Sequence, residues 1–395
     1  MIGIKQAVIL AGGRGERLRP ITDTIPKPMV PINGRPFLEY LVELLKDNGI
    51  QEVVMLLGYL PNKIIEHFGD GSKFGIKIKY SITLVEDETG TRIKKVRDLL
   101  SEIFLLLYCD NYWPLDLAKL EKFFAEKNAL VSVTVYANKD GFMKNNISVD
   151  EDGLVRKYDH SRSAEGLNGV DIGFFILDKK ILNLMPGENF SFEKVILPKL
   201  IENQKLSGYL TNYPYTSIGS TDRLPRAAKF LERRKIIFLD RDGTINERPE
   251  KARYIMKWGD FKFLPGVIEA IKMLAASGYE IYVITNQSGI GRGVMTLEDL
   301  ENIHTRLKSE LFKSGAQING IYFCPHDWDE GCSCRKPNIG LFLRAARENC
   351  LDLSKTIFIG DDERDLTTGN KAGITTFLVD ANKNLLDIVK EKILV

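Results

Sequence analysis

The chain has 395 residues, a length that predicts two or three domains. Hydrophobic residues make up 44% and charged residues 27%, which excludes a collagen-like, disordered or low-complexity chain. The formal net charge of +2 argues against a dedicated nucleic-acid binder, and no apolar run is long enough to span a bilayer. Because the first residues also lack the features of a signal peptide, we expect a cytoplasmic protein that binds neither nucleic acid nor membrane.

Strand-like runs alternate with helical runs, which predicts parallel α/β architecture. The elements predicted in the first half are strands Ala7–Leu10, Glu52–Leu57, Ile76–Tyr80, Ile103–Tyr108 and Val131–Tyr136 and helices Pro36–Lys46 and Leu117–Glu126. Those in the second half are strands Ile236–Leu239, Glu280–Ile284, Gly320–Phe323 and Thr356–Ile359 and helices Val267–Ala276, Leu297–Lys313 and Ile339–Asn349. The charged stretch Lys229–Arg234 separates two predicted domains, residues 1–232 and residues 235–395.

A glycine-rich turn follows the first predicted strand, and Gly12 and Gly13 lie at its start. Glycines let the backbone approach a nucleotide closely. Further along lie Arg17 and Lys27, the second of which stands between two prolines. The turn is not a Walker A motif, because the Gly-Lys-Ser/Thr ending is missing.

These segments and Asp110, which ends a buried predicted strand, resemble the sugar-1-phosphate nucleotidyltransferases. The resemblance implies a Rossmann-like α/β domain in which Asp110 binds Mg²⁺. The nucleotide would be bound by Gly12, Gly13, Arg17 and Lys27. The family includes guanylyltransferases for heptose 1-phosphate and mannose 1-phosphate, so the implied small-molecule partners are a sugar phosphate and an NTP, GTP first among them.

The first half also departs from this family. Glu16 stands where the family usually has Thr or Ser, and the segment at Gly90 lacks the family's second glycine. Ser217 stands where many members carry a second Mg²⁺ carboxylate. The usual Glu-Lys-Pro near the sugar phosphate is replaced by a segment in which Arg162 is the candidate substitute. Two interpretations therefore stay open, an active transferase and a fold that only binds a sugar nucleotide as a regulatory module.

Two carboxylates follow the first predicted strand of the second half, Asp240 and Asp242, and Gly243 comes next. Alternation along a strand puts both carboxylates on one side. Like charges so close need a cation between them, and oxygen ligands suit Mg²⁺. The sequence therefore predicts a magnesium site at this turn.

Further polar side chains follow the later strands of the second half or lie in the loops between them: Thr285, Asn286, Arg335, Lys336 and Asp361. In open α/β sheets, ligands gather at the carboxyl ends of the strands. Neutralisation by a cation and a lysine is what phosphoryl transfer requires. In this order, the segments resemble the haloacid dehalogenase (HAD) phosphatases across residues 235–395.

The HAD resemblance implies that Asp240 attacks phosphorus and forms an aspartyl-phosphate, while Asp242 acts first as acid and then as base. It implies Mg²⁺ bound by Asp240, by the backbone carbonyl of Asp242 and by Asp361. The phosphate would be bound by Thr285, Asn286 and Lys336. Asp365 either braces the site or is an ordinary acid at a helix start.

Three sulfurs and one imidazole fall within eleven residues: Cys324, His326, Cys332 and Cys334. Four such ligands in one short loop match a closed tetrahedral Zn²⁺ site. The remaining cysteines, Cys109 and Cys350, have no partner nearby in the sequence and are predicted core residues.

The cysteine loop runs directly into Arg335, and this arrangement resembles the capless HAD subgroup of D,D-heptose 1,7-bisphosphate and histidinol phosphatases. The segment after Asn286 resembles the heptose branch, with Arg292 and Arg335 implied to contact the sugar or its second phosphate. Asp362 departs from the lysine that heptose enzymes often carry. We expect a bifunctional enzyme that removes the 7-phosphate and then joins the heptose 1-phosphate to a nucleotide; a phosphatase for histidinol phosphate is the alternative. The oligomeric state stays open.

Overall fold

The computed structural model describes residues 2–139, 141, 143–250 and 253–394. The chain forms two compact units, Met1–Leu231 and Glu232–Val395. The division falls inside Lys229–Arg234, the stretch in which the sequence predicts a boundary. Within these described ranges, no helix combines the length and the apolar character that a membrane span needs.

The first unit is built around a seven-stranded sheet of order β12-β8-β11-β6-β1-β4-β5. The strands of this unit are β1 (Gln6–Ala11), β2 (Pro31–Ile32), β3 (Arg35–Pro36), β4 (Glu52–Leu57), β5 (Lys77–Ile82), β6 (Ile103–Tyr108), β7 (Asn111–Tyr112), β8 (Val131–Tyr136), β9 (Ile147–Val149), β10 (Val155–Tyr158), β11 (Val170–Asp178), β12 (Leu206–Thr211) and β13 (Thr216–Ser217). Its α-helices are α1 (Phe37–Asp47), α2 (Pro61–Phe68), α3 (Thr89–Lys95), α4 (Leu117–Glu126), α5 (Leu197–Glu202) and α6 (Leu224–Phe230).

Strand β1 lies in the middle of this sheet, parallel to β4 on one side and β6 on the other. All six of its residues are buried, as expected for a strand covered on both faces. Since β1 and β6 are neighbours, the glycine turn after Ala11 and the acid Asp110 after Tyr108 come to the same edge of the sheet. The fold thereby brings the predicted nucleotide and metal residues together.

The first sheet is mixed, which corrects the expectation of purely parallel strands. Strand β11 runs antiparallel to both β6 and β8. An antiparallel return needs no crossover helix, and the described residues between β8 and β11 contain only the small β9–β10 ribbon. Strands β11 and β12 of this sheet were not predicted from the sequence, although a turn at residues 165–166 lies shortly before β11.

The second unit has a five-stranded sheet of order β16-β15-β14-β17-β18, parallel throughout. Its strands are β14 (Lys235–Leu239), β15 (Tyr279–Asn286), β16 (Gly320–Cys324), β17 (Thr356–Gly360) and β18 (Thr375–Leu378). Its α-helices are α7 (Val267–Ala276), α8 (Leu297–Lys313), α9 (Gly340–Asn349), α10 (Glu363–Ala372) and α11 (Leu385–Ile388). The polar residues that follow β14, β15 and β17 lie at one edge of this sheet, because the carboxyl ends of parallel strands share an edge.

Candidate active sites

The turn after β14 carries Asp240, and the side chain of Asp361 packs closely against the same turn at Gly243. The Asp240 backbone N–H donates to the Ile359 carbonyl oxygen at 2.9 Å, which links the turn to the neighbouring strand β17. Gly243 has a φ of +93°, and a Cβ added there would lie 1.7 Å from Asp361 Oδ2. Only glycine fits this position, because Asp361 approaches the turn so closely.

A buried cluster of charges surrounds Asp240. The Lys336 Nζ atom lies 2.8 Å from Asp240 Oδ2 and 2.6 Å from Asp365 Oδ1. Oxygens of Asp240, Asp361 and Asp365 lie within 4.8 Å of one another. Lys336 and Arg248, which pairs with Asp361 at 2.9 Å, offset two of the three carboxylate charges. One negative charge remains, and the carboxylate oxygens suit a divalent cation.

The pKa values of this cluster reflect burial first. Burial raises the pKa of Asp240 to about 7, although the positive charge of Lys336 opposes the rise. Burial also raises the pKa of Asp361 to about 6, with Arg248 in opposition. For Lys336, burial favours the neutral amine, but the carboxylates outweigh it and raise the pKa. A bound dication would favour the ionised carboxylates.

Asp365 has two roles in the structure. Its Oδ2 accepts hydrogen bonds from the backbone N–H groups of Asp361 at 3.1 Å and Asp362 at 3.3 Å. It is at the same time the third residue of helix α10 and completes a capping box with Asp362. Asp365 therefore caps the start of helix α10 and also braces Lys336. The two alternatives, a helix-start acid and a brace of the site, are both fulfilled by this one side chain.

The side chain of Asp242 is held in one orientation by three residues. The fully buried Arg241 donates from Nε to Oδ1 at 3.0 Å and from Nη2 to Oδ2 at 2.9 Å. Asn246 donates to Oδ1 at 2.9 Å, and Gln287 donates to Oδ2 at 2.8 Å. Arg241 also contacts His304 at 3.2 Å, whose pKa falls to about 3 because of burial first and Arg241 second.

Thr285 and Asn286 end β15 beside this cluster. Thr285 is almost fully buried, and its hydroxyl accepts a hydrogen bond from Gln287 Nε2 at 2.9 Å. The Asn286 amide donates to the Lys336 carbonyl at 3.1 Å and accepts from the Lys336 N–H at 3.0 Å. In this structure Asn286 thus braces the backbone of Lys336, and phosphate binding by either residue stays a prediction.

The cluster opens into a cavity of about 420 Å³. Four arginines line it: Arg248, Arg253, Arg335 and Arg364. Arg292 does not line it: its Nε donates to Asp327 at 2.7 Å, and its guanidinium lies 4.0 Å from the Trp328 ring centroid. The structure thus brings Arg335 to the cavity and leaves Arg292 outside the lining, so sugar contact by Arg292 stays a prediction.

The three predicted sulfur ligands and the imidazole lie together. The sulfur atoms are separated by 3.3 Å between Cys324 and Cys334 and by 3.6 Å from each of these to Cys332. His326 Nδ1 lies 3.2 Å from the Cys334 sulfur. These separations are too long for a disulfide and close to the edges, about 3.8 Å, of a tetrahedron built from Zn–S bonds of about 2.3 Å. The donor set therefore fits Zn²⁺.

In the first unit, Gly12 is packed against an arginine that the sequence analysis did not single out. A Cβ at Gly12 would lie 2.3 Å from the Cζ of Arg92. Arg92 is buried and donates to the carbonyl oxygens of Leu57 at 2.8 Å and Leu84 at 2.8 Å, among other neutral acceptors. Arg92 therefore fastens the glycine turn to the end of β4, and Gly13, with open space beside it, stays free to meet a ligand.

The Lys27 Nζ atom forms an ion pair with Asp110 Oδ2. Both residues line a cavity of about 570 Å³ together with Gly12, Gly13 and Arg17. The structure thus brings together all five predicted nucleotide and metal residues of the first unit. Glu16 lines the same cavity, as the sequence led us to expect.

Beside this cavity lies a second one of about 510 Å³, whose lining also includes Arg17 and Asp110. Asp171, at its wall, accepts hydrogen bonds from the Tyr158 hydroxyl at 3.0 Å and from the Gly173 N–H at 2.7 Å. Burial raises the pKa of Asp171 to about 7. This acid was not identified from the sequence; it lies in β11, one of the strands that were not predicted.

The sequence analysis also missed several positioning residues of the second unit: Arg241, Asn246, Gln287 and His304. Arg241 and Gln287 lie inside motifs that the sequence displays, directly after Asp240 and Asn286. A charged residue between two predicted catalytic acids is a signal that could have drawn attention to Arg241. His304, in the middle of helix α8, carries no such signal.

Comparisons with known proteins agree with the two units. Residues 6–234 match the family model described as Nucleotidyl transferase, and residues 235–375 match the one described as Polynucleotide kinase 3 phosphatase. The chain is 43% identical over 146 residues to the D-glycero-beta-D-manno-heptose-1,7-bisphosphate 7-phosphatase of Helicobacter pylori, a match that covers 37% of this chain and 83% of that protein. It is 40% identical over 145 residues to the D-glycero-alpha-D-manno-heptose-1,7-bisphosphate 7-phosphatase of Campylobacter jejuni, covering 37% of this chain and 81% of that protein.

Among solved structures, the crystal structure of HddC from Yersinia pseudotuberculosis is 27% identical and has a TM-score of 0.50. That match covers 58% of this chain and 100% of the other. A putative glucose-1-phosphate thymidylyltransferase from Bacillus anthracis is 18% identical with a TM-score of 0.51, covering 56% of this chain and 93% of the other, and shows a shared fold.

Proposed function

The chain belongs to the nucleotidyl transferase family and to the family of the heptose-1,7-bisphosphate 7-phosphatases, and from this premise we propose that it carries out two successive steps of sugar-nucleotide synthesis. The C-terminal unit hydrolyses the 7-phosphate of D-glycero-D-manno-heptose 1,7-bisphosphate. The N-terminal unit transfers a nucleotidyl group from an NTP, GTP in the first place, to the heptose 1-phosphate that remains. The product of the first reaction is thus the acceptor in the second.

The hydrolytic step starts at Asp240. A carboxylate oxygen of Asp240 attacks the phosphorus, the bond from phosphorus to the sugar oxygen breaks, and Asp242 donates a proton to that oxygen. Asp242 then takes a proton from the water that hydrolyses the aspartyl-phosphate. The hydrogen bonds that Arg241 and Gln287 donate to both oxygens of Asp242 fix its orientation and favour its ionised form, which supports the second, proton-accepting part of this role.

Lys336 neutralises charge in this step. Its ammonium group, held between Asp240 and Asp365, lies where the transferring phosphoryl group carries negative charge. Asp240, Asp361 and the backbone carbonyl of Asp242 are the proposed ligands of Mg²⁺. When bound, the ion adds positive charge at the phosphoryl oxygens as a Lewis acid.

The observation that carries the phosphatase assignment is the pairing of Asp240 with Lys336 at the bottom of a cavity lined by arginines. One phosphate needs only the charges near Asp240. Arg248 and Arg364 form ion pairs with Asp361 or Asp362, so Arg335, which also lines the cavity, is the guanidinium that we assign to a second phosphate group of the substrate. A sugar bisphosphate therefore fits this cavity better than histidinol phosphate, which has one phosphate.

In the N-terminal unit, an acceptor phosphate oxygen attacks the α-phosphorus of the NTP and pyrophosphate leaves. Gly13 provides an open backbone for the nucleotide, and Arg17 and Lys27 offset the triphosphate charge. Asp110 is the proposed Mg²⁺ ligand. Asp110 and Lys27 form an ion pair with each other. This pairing supports a site in which Asp110 binds the cation and Lys27 binds a phosphate of the nucleotide.

The deciding experiment follows both products at once. The protein is incubated with the α and β anomers of heptose 1,7-bisphosphate, Mg²⁺ and each of the common NTPs. We expect the protein to release inorganic phosphate faster from one anomer than from the other, or from one anomer alone. With GTP present, we then expect pyrophosphate and a nucleotide-heptose. Both anomers are needed because relatives of this chain carry either name. Phosphate release from histidinol phosphate at a comparable rate would contradict the sugar assignment.

A second candidate function is a phosphatase whose N-terminal unit only binds a sugar nucleotide. It is favoured by Ser217, which offers no carboxylate where the resemblance implies one. This candidate predicts inorganic phosphate release without pyrophosphate from any NTP, together with measurable binding of a nucleotide-sugar to the whole chain.

A further inference from the structure

The second cavity of the N-terminal unit has an excess of basic side chains. Arg17, Lys144, Arg162 and Arg223 line it. In the ranges that the structure describes, none of the four has a carboxylate within ion-pair distance, although Arg162 influences the pKa of Asp171. The carboxylates in the lining, Asp110 and Asp171, already receive hydrogen bonds or an ion pair from other residues.

Two of these cations converge on one point at the backbone of Gly219. A Cβ placed on Gly219 would lie 3.5 Å from Arg223 Nη1 and 3.7 Å from Arg17 Nη2. Two guanidinium groups this close to one point repel each other unless an anion lies between them. Two guanidinium forks facing one space form the usual recognition geometry for a phosphate.

Ser217 holds one of these arginines. Its Oγ accepts a hydrogen bond from Arg223 Nη1 at 3.3 Å and another from the Gly219 N–H at 3.1 Å. Ser217 pairs with Asn111 across strands β13 and β7, and the Ile218 N–H donates to the carbonyl oxygen of Asp110 at 2.9 Å. Ser217 therefore lies next to the proposed Mg²⁺ ligand, and Arg223 lines the same cavity as that ligand.

These residues do not fit a second Mg²⁺ held by a side chain at position 217. The resemblance implies a carboxylate there, but a serine hydroxyl supplies no charge. A guanidinium 3.3 Å from the same hydroxyl would moreover repel a dication. The positive charge that a second ion would bring is already present in the protein, on Arg223.

We propose that Arg223, held by Ser217, replaces a carboxylate-bound second metal ion, and that Arg17, Lys144, Arg162 and Arg223 form the site for the phosphate monoester of the acceptor sugar 1-phosphate. The proposal rests on the proposed transferase function, which it deepens. Binding of the acceptor phosphate at this site needs no Mg²⁺. The arginines neutralise the acceptor, so that one of its phosphate oxygens can form the bond to the α-phosphorus while the bond between the α- and β-phosphates breaks and pyrophosphate leaves.

The test measures binding of D-glycero-D-manno-heptose 1-phosphate by calorimetry. All proteins are full-length and carry Asp240→Asn, which prevents any hydrolysis of the ligand. We expect Arg223→Gln to weaken binding at least tenfold, equally in EDTA and in Mg²⁺. We expect GTP binding to change less than threefold, because Arg223 lines the second cavity and not the one at the glycine turn.

Arg97→Gln is the matched control, because it removes one positive charge at an exposed position of the same unit. It should leave binding of the sugar phosphate unchanged. A second variant, Ser217→Asp, places a carboxylate against Arg223, which neutralises the guanidinium, and should also weaken binding of the sugar phosphate in EDTA. This variant tests the proposal even if Arg223→Gln does not fold. Circular dichroism shows which variants are folded.

The outcomes separate the site from the function. Unchanged binding of the sugar phosphate in folded Arg223→Gln, or loss of binding by the parent protein in EDTA, overturns the site, even if pyrophosphate is released. Arg223-dependent binding without pyrophosphate from any NTP supports the site and overturns the transferase function. Arg223-dependent binding together with pyrophosphate release supports both.

Discussion

The two active sites handle charge in opposite ways. In the phosphatase site, Lys336 is 4% exposed and lies between Asp240 and Asp365, so opposite charges offset each other inside the protein. In the transferase site, Arg17 and Arg223 converge on a cavity whose carboxylates are already engaged. Under the proposed function, the first site pairs its proposed nucleophile with Lys336 before substrate binds, whereas the second completes its charge balance only when anionic substrates bind.

The largest expected effect breaks the phosphatase site alone. Asp240→Asn keeps the shape of the side chain but removes the attacking carboxylate, so phosphate release should fall at least a thousandfold, consistent with the loss of covalent catalysis. Pyrophosphate release from GTP and added heptose 1-phosphate should not change. Phosphate release is measured with a colorimetric assay. Asp260→Asn, an exposed position of the same unit, is the control; activity of Asp240→Asn within tenfold of the parent protein would refute the assignment.

The reciprocal change breaks the transferase site alone. Asp110→Ala removes the proposed Mg²⁺ ligand and frees Lys27 from its ion pair, so pyrophosphate release should fall about a hundredfold or more. Phosphate release from heptose 1,7-bisphosphate should stay at the parental rate. A coupled pyrophosphate assay measures the first and malachite green the second. Asp98→Ala, at an exposed position, is the control. Equal loss of both activities would show that the two sites are not independent.

Loss of zinc should affect the phosphatase site through Arg335, whose Nη1 donates to the His326 carbonyl at 3.3 Å. Cys332→Ser should lose the one Zn²⁺ expected per chain, lower the stability of the C-terminal unit and raise the KM for heptose 1,7-bisphosphate several-fold. Elemental analysis and steady-state kinetics measure these effects. The control Cys350→Ser changes a cysteine that is not one of the four predicted Zn²⁺ ligands, and it should retain the metal. Freshly purified parent protein without zinc would contradict the metal site.

The smallest expected effect concerns Asp171, an acid that the fold makes hard to ionise. Its folded pKa of about 7 is higher than the ordinary value of 3.8. Its stabilising contribution is therefore complete below about pH 4 and is lost as the pH rises through 7, by at most about 1.4 kcal/mol per pH unit. In Asp171→Asn, the free energy of unfolding should depend less on pH between 5 and 8.

Denaturant unfolding of the whole chain at several pH values measures this effect. Asp152→Asn, at an exposed position, should retain the pH dependence of the parent protein. If Asp171→Asn and the parent protein lose stability in parallel from pH 5 to pH 8, Asp171 is ionised in the folded state and the burial argument fails for it.

Much of the fold could be predicted wherever the residues of a single segment are enough to indicate its secondary structure. Helices Leu117–Glu126, Val267–Ala276 and Leu297–Lys313 have the predicted bounds, as do strands Glu52–Leu57 and Ile103–Tyr108. The helices have apolar residues at helical spacing, and the two strands are short, nearly continuous apolar runs. The antiparallel direction of β11 could not be predicted, because the direction and partners of a strand depend on distant segments, here β6 and β8.

The sequence by itself determined the chemistry: which carboxylates, cations and thiols follow which strands, and hence the families that the chain belongs to. Short motifs carry this information because parallel strands bring their carboxyl ends to one edge. Only the tertiary structure decided how each group is balanced, because charge compensation depends on residues far apart in sequence. Thus Asn286 braces the backbone of Lys336, and Arg223 reaches Ser217 beside Asp110. Burial likewise arises from packing, which is why the raised pKa values of Asp240 and Asp171 could not be predicted from their neighbours in the chain.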